Sequence, residues 1–413
     1  MDFLDNPVRR YAWGSRTVIA GLQSRPVPSA HPEAELWLGA HPADPSYLVD
    51  PEVGTRRSLL GELADDPAGR LGEATARRWG GRLPFLLKVL AADEPLSLQA
   101  HPGAGQAEAG FALENERGIP LDDASRNYKD ASHKPELVCA LTEFHALTGF
   151  REPATTVEFL NALDAPELAG HVGLLAGQPD ENGLRALFST WITLPQEMLD
   201  RLVPAVQDAC VRLLRDPASR FRAETRTVLE LSERYPGDAG VLAALLLNRV
   251  TLAPGEALYQ GDGVLHAYLS GACIEVMANS DNVLRGGLTP KHVDVPELLR
   301  VLNFAAGPPP LVHGVRDGAI TRYDTEASEF QLRRLDWAGA TEGYVVSLPD
   351  CGPRILLCTQ GAAKVSAGSG RSLCLRRGEA IWLDARDFEV KAASHEGPAQ
   401  LFLATAGTEA ESR

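Results

Sequence analysis

The feature that most constrains the fold is a change in hydrophobic periodicity along the chain. Residues 1–150, and those from about 249 onward, contain short apolar runs broken by Gly, Pro and Asp, a pattern typical of strands and turns. Between residues 151 and 248 the apolar positions recur every three or four residues, as in amphipathic helices. One predicted helical stripe, which we expect in the core, consists of Leu199, Leu202, Val203, Val206 and Cys210.

This periodicity predicts a mainly β protein with an α-helical insert. With 413 residues, the chain exceeds the usual size of one core, so several domains are expected. We predict a discontinuous β domain over 1–150 and 249–325, a helical insert over 151–248, and a C-terminal β domain over 326–413. The segments PGEALYQGDGVLHAY and RGEAIWLDARDFEV share Gly-Glu-Ala before an alternating apolar stretch, which leaves a duplicated β unit open.

Net charge, the lengths of the apolar runs and the cysteine spacing indicate which kinds of partner and which cellular compartment to expect. The formal net charge of −15 disfavours nucleic acid and anionic membranes as partners. No apolar run reaches the length of a membrane span, and the N-terminal segment MDFLDNPVRRYAWG lacks a signal-peptide core. The six cysteines are scattered without a CxxC pair, as in proteins with reduced thiols. A cytoplasmic protein that binds neither nucleic acid nor a membrane is therefore expected.

The segment SLQAHPG, residues 97–103, is the first sign of a metal site. In a strand, Gln99 and His101 would point to the same face. Glu136 in SHKPELVCAL and His266 in GVLHAYLSG are the further candidate ligands from strand-like segments. Two imidazoles, one carboxylate and one amide, without cysteine, are typical of an open catalytic site rather than a closed structural one. With a single anionic ligand, such a centre would stay positive and stabilise negative charge on a bound oxygen.

Basic residues flank the same segments in an otherwise acidic chain. They are Lys88, Lys134, Arg285 and Lys291. A single lysine is most often a solvated surface charge, but four cations beside one predicted site favour a phosphate pocket. The glycines of the RGGLTPK stretch would let backbone approach such a ligand.

Six motifs carry a resemblance to a known family. The chain resembles the type I mannose-6-phosphate isomerases in family order over roughly residues 6–305. The matching motifs are YAWGS (11–15), AELWLGAHP (34–42), LPFLLKVL (83–90), PLSLQAHPG (95–103), NYKDASHKPEL (127–137) and HAYLSGACIEVMANSDNVLRGGLTPKHVDV (266–295).

This resemblance implies a zinc-dependent enzyme of the cupin class. It implies jelly-roll β-barrels in two units, one of them catalytic, and interconversion of mannose 6-phosphate and fructose 6-phosphate through an enediol(ate). One Zn²⁺ per chain is expected, with Gln99, His101, Glu136 and His266 as its ligands. The implied partner is a small phosphorylated sugar.

The resemblance also implies roles for residues around the metal. Arg285 matches the family's active-site arginine. Glu275 is our first candidate for the proton-transfer base, with His133 and Lys134 as alternatives. Asp281 is a candidate for opening the sugar ring. The residues expected to bind substrate are Ser97, Lys88, Lys291 and Tyr268.

Two other functions are compatible with the residues. A cupin oxygenase would use iron or manganese with the same two histidines and carboxylate. A non-catalytic protein that only binds a sugar phosphate would keep the pocket without turnover. A monomer is expected, and an oligomer is left open.

Overall fold

A computed structural model describes residues 1–50, 54–338, 343–349 and 352–407. One of the six cysteines, Cys351, lies outside the described residues. The strands are β1 (Asp2–Asp5), β2 (Val8–Arg9), β3 (Glu35–Leu38), β4 (Tyr47–Asp50), β5 (Thr55–Ser58), β6 (Phe85–Ala92), β7 (Leu98–Ala100), β8 (Glu136–Ala140), β9 (Phe144–Phe150), β10 (Leu247–Leu252), β11 (Ala257–Gln260), β12 (His266–Ala278), β13 (Leu284–Gly287), β14 (Leu311–Val312), β15 (Val315–Asp317), β16 (Ile320–Tyr323), β17 (Gln331–Trp337), β18 (Val346–Ser347), β19 (Arg354–Gln360), β20 (Ala362–Ser366), β21 (Ser372–Arg376), β22 (Ala380–Leu383), β23 (Lys391–Ser394) and β24 (Ala399–Thr405).

Helices occupy five separate segments of the described chain. They are α1 (Val18–Leu22), α2 (Leu59–Asp65), α3 (Pro67–Leu71), α4 (Glu73–Arg78), α5 (Ala104–Glu116), α6 (Pro153–Leu163), α7 (Ala169–Gly177), α8 (Glu181–Ile192), α9 (Gln196–Leu213), α10 (Arg222–Arg234), α11 (Ala239–Ala244) and α12 (Val295–Val301), with a short 3₁₀ turn over Pro166–Leu168.

Strand β12 joins the two halves of an eleven-stranded sheet. Its first residues pair with β7 and β9, and its later residues pair with β6 and β8, all antiparallel. The change of partners falls at Gly271, whose φ is +109°. A Cβ there would lie 2.4 Å from the backbone oxygen of Glu143, so only glycine fits this bend.

The two faces of the second half of β12 differ in chemistry. Ile274 lies in a buried apolar cluster with Val89 and Leu137 of the flanking strands, and this cluster also includes residues of the nine-stranded sheet. Because strand residues alternate between faces, Glu275 points the other way, beside Lys88. Apolar packing on one face of the sheet therefore fixes which side chains point to the opposite face.

Six α-helices fill the predicted insert, from α6 to α11. The predicted stripe of α9 is confirmed, since Leu199, Leu202, Val203, Val206 and Cys210 are all buried. Their cluster also takes in Leu98 and Leu147 from β7 and β9, so the insert packs against the outer face of the site-bearing strands. In the described part of the chain, no helix has the length and apolarity needed to cross a membrane.

The nine-stranded sheet combines both ends of the chain. Strand β1 pairs with β22, and β4 and β5 extend the same sheet. Strands β15 and β16 also belong to it, although they precede the predicted boundary at residue 326. Strand pairing therefore crosses the predicted limit between the discontinuous β domain and the C-terminal β domain at two places, and the division into domains stays a prediction.

The two Gly-Glu-Ala turns have the same hydrogen bonds. Gly255 and Gly378 have φ of +91° and +86°, and each donates its N–H to a carbonyl of the neighbouring strand at 2.8 Å. That strand residue donates back to the carbonyl of Glu256 or Glu379 at 2.9 Å. Both glutamate side chains accept the backbone N–H three residues earlier, at 2.8 Å. This equivalence supports the duplication that three matching residues left open.

We expect Gly271→Ala to lower the free energy of unfolding by about 3 kcal/mol, because the new methyl group strains a left-handed backbone and meets Glu143. Urea unfolding would measure it. Gly307→Ala is the control, since a Cβ there has no atom within 4 Å, and it should change stability by less than about 0.5 kcal/mol. Equal stability of the two variants would contradict the account of the bend.

Candidate metal centre and active site

The structure brings the four predicted metal ligands together. One ligand atom each from His101, Glu136 and His266 lies within 4.8 Å of the others. Gln99 is the register partner of His266 across β7 and β12, and its Nε2 lies 3.3 Å from Nε2 of His266. Three of these residues begin or lie in strands, and His101 directly follows β7. Hydrogen-bonded strand pairing therefore sets their spacing.

Both histidines are fixed in the tautomer that binds a metal. Nδ1 of His101 lies 2.8 Å from the carbonyl oxygen of Asn282, and Nδ1 of His266 lies 2.9 Å from that of Val264. A carbonyl only accepts, so each Nδ1 carries the hydrogen and each Nε2 keeps a free lone pair. Burial is the main reason that the pKa of His101 falls to about 4, so its ring is neutral near pH 7.

Nε2 of His101 is the clearest sign of a missing partner. It is fully buried and makes no hydrogen bond with any residue that the structure describes. It does lie 3.2 Å from Oε1 of Glu136, but at an angle that does not form a hydrogen bond. Two electron-rich atoms that face the same point without a shared proton are suited to coordinate one cation.

The spacing of these atoms fits a tetrahedral first-row ion. Oε2 of Glu136 lies 3.5 Å from Nε2 of His266, and the two other measured separations are 3.2 and 3.3 Å. Ligands at 2.0–2.2 Å from one ion in a tetrahedron lie about 3.3–3.6 Å apart. A half-turn of the Gln99 amide presents its oxygen as the fourth donor. Nitrogen donors favour zinc over calcium or magnesium.

Glu136 is held from two sides besides the histidines. Nζ of Lys134 lies 3.2 Å from Oε1, and the hydroxyl of Tyr268 donates to Oε2 at 3.3 Å. Burial raises the pKa of Glu136, but the facing imidazole of His101 and the ammonium group of Lys134 lower it overall, well below its usual value. The carboxylate is therefore ionised. Tyr268, which is buried, orients it, and a substrate contact for Tyr268 stays a prediction.

Lys88 and Glu275 form a buried ion pair between the neighbouring strands β6 and β12. Nζ of Lys88 lies 3.0 Å from Oε2 of Glu275 and 3.7 Å from Oε1 of Glu35. Burial lowers the pKa of Lys88, but the two carboxylates outweigh it and raise that pKa. Burial also raises the pKa of Glu275, against the opposing effect of Lys88. A buried carboxylate with a raised pKa has the character of a general base.

Arg285 lies in β13 as the register partner of Gln99 in β7. Register partners share a face, so the Arg285 side chain leaves the sheet on the same face as that of Gln99. Burial lowers the pKa of Arg285, and within the described residues its side chain has no hydrogen bond or ion pair. A half-buried cation on the sheet face of Gln99, with no carboxylate partner among the described residues, is suited to an anionic ligand.

The loop after β13 is held by the helical insert. Oδ1 of Asp238 accepts the N–H of Leu288 at 2.9 Å, and Oδ2 accepts that of Thr289 at 3.2 Å. Leu288 has a φ of +53°, so the loop turns sharply here. Lys291 follows with an exposed side chain, while Ser97 is half-buried just before β7. Strands β7 and β13 are antiparallel with Leu98 opposite Gly287, so Ser97 and the loop that carries Lys291 lie at the same end of this strand pair.

His133 is clamped between two carboxylates. Its Nδ1 lies 3.3 Å from Asp262, and its Nε2 lies 2.8 Å from Glu329. Hydrogen bonds to Asp262 and Glu329 raise the pKa of His133 to about 10. The ring is then an imidazolium with both nitrogens as donors, which argues against His133 as the proton-transfer base.

Sequence reasoning missed His41, which lies in the site beside Asp281. Nε2 of His41 lies 3.3 Å from Oδ1 of Asp281, and its ring packs edge-on against Trp37 at 4.9 Å. One signal could have found it. The tripeptide Ala-His-Pro occurs at His41 and again at the metal ligand His101.

The His133 clamp has a defined pH dependence. An unfolded histidine titrates near 6.5 and the folded one near 10, so the stabilisation is complete below pH 6.5 and is lost as pH rises through 10. We expect His133→Gln to lower the free energy of unfolding by about 2 kcal/mol near pH 6 and by far less near pH 10. Urea unfolding of both proteins at the two pH values measures this gap, and a gap that stays constant would contradict the clamp.

Comparisons with known proteins agree with this site. Residues 2–153 match the family model described as phosphomannose isomerase type I, catalytic domain. The mannose-6-phosphate isomerase of Escherichia coli (strain K12) is 39% identical over 404 residues, covering 97% of this chain and 99% of that protein.

Two solved structures resemble the chain over nearly its whole length. A variant of phosphomannose isomerase from Salmonella typhimurium has a TM-score of 0.89 at 36% identity, covering 99% of this chain and 100% of that one. A zinc-bound mannose 6-phosphate isomerase has a TM-score of 0.88 at 37% identity, covering 98% and 99%. These matches confirm the predicted fold class, a mainly β, cupin-type architecture with a helical insert. The chain belongs to the type I phosphomannose isomerase family.

Proposed function

We propose that this chain is a zinc-dependent isomerase that interconverts D-mannose 6-phosphate and D-fructose 6-phosphate. The observation that carries the proposal is the buried cluster of His101, Glu136 and His266, with Gln99 beside it and the unpaired Arg285 on the same sheet face. Relatives named for this activity match the chain over almost its full length.

Zinc, one ion per chain, is the proposed cofactor, with Gln99, His101, Glu136 and His266 as its ligands. Bound there, it supplies a positive centre that stabilises negative charge on the substrate oxygens at C1 and C2. The zinc-bound relative supports this choice of metal.

The protein side chains would move the protons. Isomerisation of an aldose to a ketose transfers a proton from C2 to C1, and a hydroxyl proton from O2 to O1. Glu275 is our proposed base at carbon, because it is buried and its pKa is raised. Lys134 is the weaker candidate, since its ammonium group is paired with Glu136. Asp281, half-exposed beside His41, is the proposed group for opening the sugar ring.

The remaining basic residues differ in whether they already have a carboxylate partner, and this decides the role that we propose for each. Lys88 is buried and already faces two carboxylates, so we assign it to holding Glu275 rather than to gripping phosphate. Lys291 is exposed and lies with Ser97 at the edge of the site, and we propose these two as phosphate contacts. Arg285 would bind the sugar or its developing enediolate charge.

Where the protein works, and in what assembly, are parts of the same proposal. We infer a cytoplasmic monomer whose partner is the phosphorylated sugar. The family's named isomerases favour this over an oxygenase or a non-catalytic binding protein.

A coupled assay for conversion of mannose 6-phosphate to fructose 6-phosphate tests the function. Activity should disappear with a chelator and return with Zn²⁺. His266→Ala should lose bound zinc and activity together, because it removes a ligand. His145→Ala is the control, since His145 lies on neighbouring β9 with Glu143, Thr251 and Arg249 around it. A zinc-replete protein without activity would refute the proposal.

Glu275→Gln tests the base. We expect zinc content to stay unchanged while kcat falls at least about a hundredfold, as when a general base is lost. Glu35→Gln is the matched control, because it removes the other carboxylate beside Lys88 and should lower kcat less than about tenfold. Similar losses in both variants would move the base to another residue.

A further inference from the structure

His41 has a defined donor directed at the active site. It is 3% exposed, and its Nδ1 accepts the backbone N–H of Ala43 at 3.1 Å. A nitrogen that accepts carries no hydrogen, so the ring hydrogen is on Nε2. That atom lies 3.3 Å from Oδ1 of Asp281. The edge-on contact with Trp37 further limits rotation of the ring.

Asp281 lies next to the metal ligands. The following residue, Asn282, supplies the carbonyl that holds the His101 ring, and the backbone N–H of Asp281 is bound by Asp130 at 2.9 Å. Its backbone is therefore fixed, whereas its carboxylate is 54% exposed. Burial raises the pKa of Asp281, but the His41 hydrogen bond and two nearby lysines lower it overall. The group is ionised and open on one side.

A carboxylate on an exposed side chain would normally sample several rotamers. Within the described residues, the 3.3 Å contact between Nε2 of His41 and Oδ1 of Asp281 is the one that selects among them. The other carboxylates of the site already have partners: Glu136 faces the metal ligands and Glu275 faces Lys88. Asp281 is thus the carboxylate left to meet a substrate.

We propose that His41 is a positioning residue that holds the Asp281 carboxylate in the orientation needed to open the sugar ring. The inference rests on the proposed isomerase function. It gives a role in that function to His41, which contacts none of the proposed metal ligands in the described structure. The substrate of this ring-opening step is the cyclic form of the hexose phosphate.

The ring-opening step balances without a further reactant. Asp281 takes the proton from the O1 hydroxyl, and the electrons of that O–H bond form the C1=O double bond. The C1–O5 bond breaks, its electrons go to O5, and Asp281 returns the proton to O5. The carboxylate ends as it began, and the open-chain aldehyde can then undergo transfer between C1 and C2.

Two substitutions separate the two polar contacts of His41, with the backbone N–H of Ala43 and with the carboxylate of Asp281. In His41→Asn the amide oxygen can replace Nδ1 as the acceptor for Ala43, but the side chain is too short to reach Asp281. In His41→Gln the longer amide places its donor where Nε2 was. We expect His41→Asn to lower kcat/KM at least about tenfold and His41→Gln to restore most of it. Zinc content should be unchanged in both.

The primary isotope effect with mannose 6-phosphate deuterated at C2 identifies the step. If ring opening becomes slower in His41→Asn, it limits the rate, and the isotope effect on kcat/KM falls toward one. A merely structural loss would leave the isotope effect at its wild-type value. Combining His41→Asn with Asp281→Asn should be no slower than Asp281→Asn alone, since both act through one group.

Each result is decisive. A reduced isotope effect in His41→Asn with recovery in His41→Gln supports the positioning role. An unchanged isotope effect, additive losses, or equal losses in both His41 variants would overturn it. If His41→Asn does not fold, Asp281→Asn alone must reduce the isotope effect, and a full effect there overturns the inference. A zinc-replete wild type without activity would refute the proposed function itself.

Discussion

The backbone pairing of strand β12 with four neighbouring strands is the interaction on which the rest of the structure depends. Its backbone hydrogen bonds tie β7 and β9 to one half and β6 and β8 to the other, with the bend at Gly271 between them. The same strand begins at His266 and contains Glu275, so one covalent segment carries both a metal ligand and the proposed base. The distance between metal and base is thus set by strand geometry.

Much of the fold could be predicted from periodicity. The helical insert and the stripe of α9 followed from spacing, because amphipathic helices bury one face. The return of β1 to β22 could not be predicted, since four residues with an ordinary strand pattern do not identify a partner more than 370 positions away. The Gly-Glu-Ala turns lay between these cases. Three shared residues were weak evidence for a duplication, and the common hydrogen bonds of the two turns support it.

The proposed metal ligands could be predicted because such polar side chains are rare in apolar strands and because they lie within the family motifs. Ionic partners were harder to predict. Lys88 could be placed near the site from the sequence. Its ion pairs with Glu35 and Glu275 could not be predicted, because they depend on the register of three strands. The partners of His133 come from residues 262 and 329, far apart in the chain. His41 was missed because a single histidine in a loop has no periodic signal, although its Ala-His-Pro context repeats that of His101.

The Asp238 contact gives the helical insert a role beyond packing. Its carboxylate holds the loop of Leu288 and Thr289 in a left-handed turn, and Lys291 lies two residues further on. If the start of α11 unravels, that loop loses its anchor. The apparent affinity for a phosphate ligand is reduced by the fraction of molecules in which the loop is misplaced. Local stability of a helix that contributes no catalytic group would therefore tune substrate affinity, and substitutions in the insert could adjust KM while the metal centre stays intact.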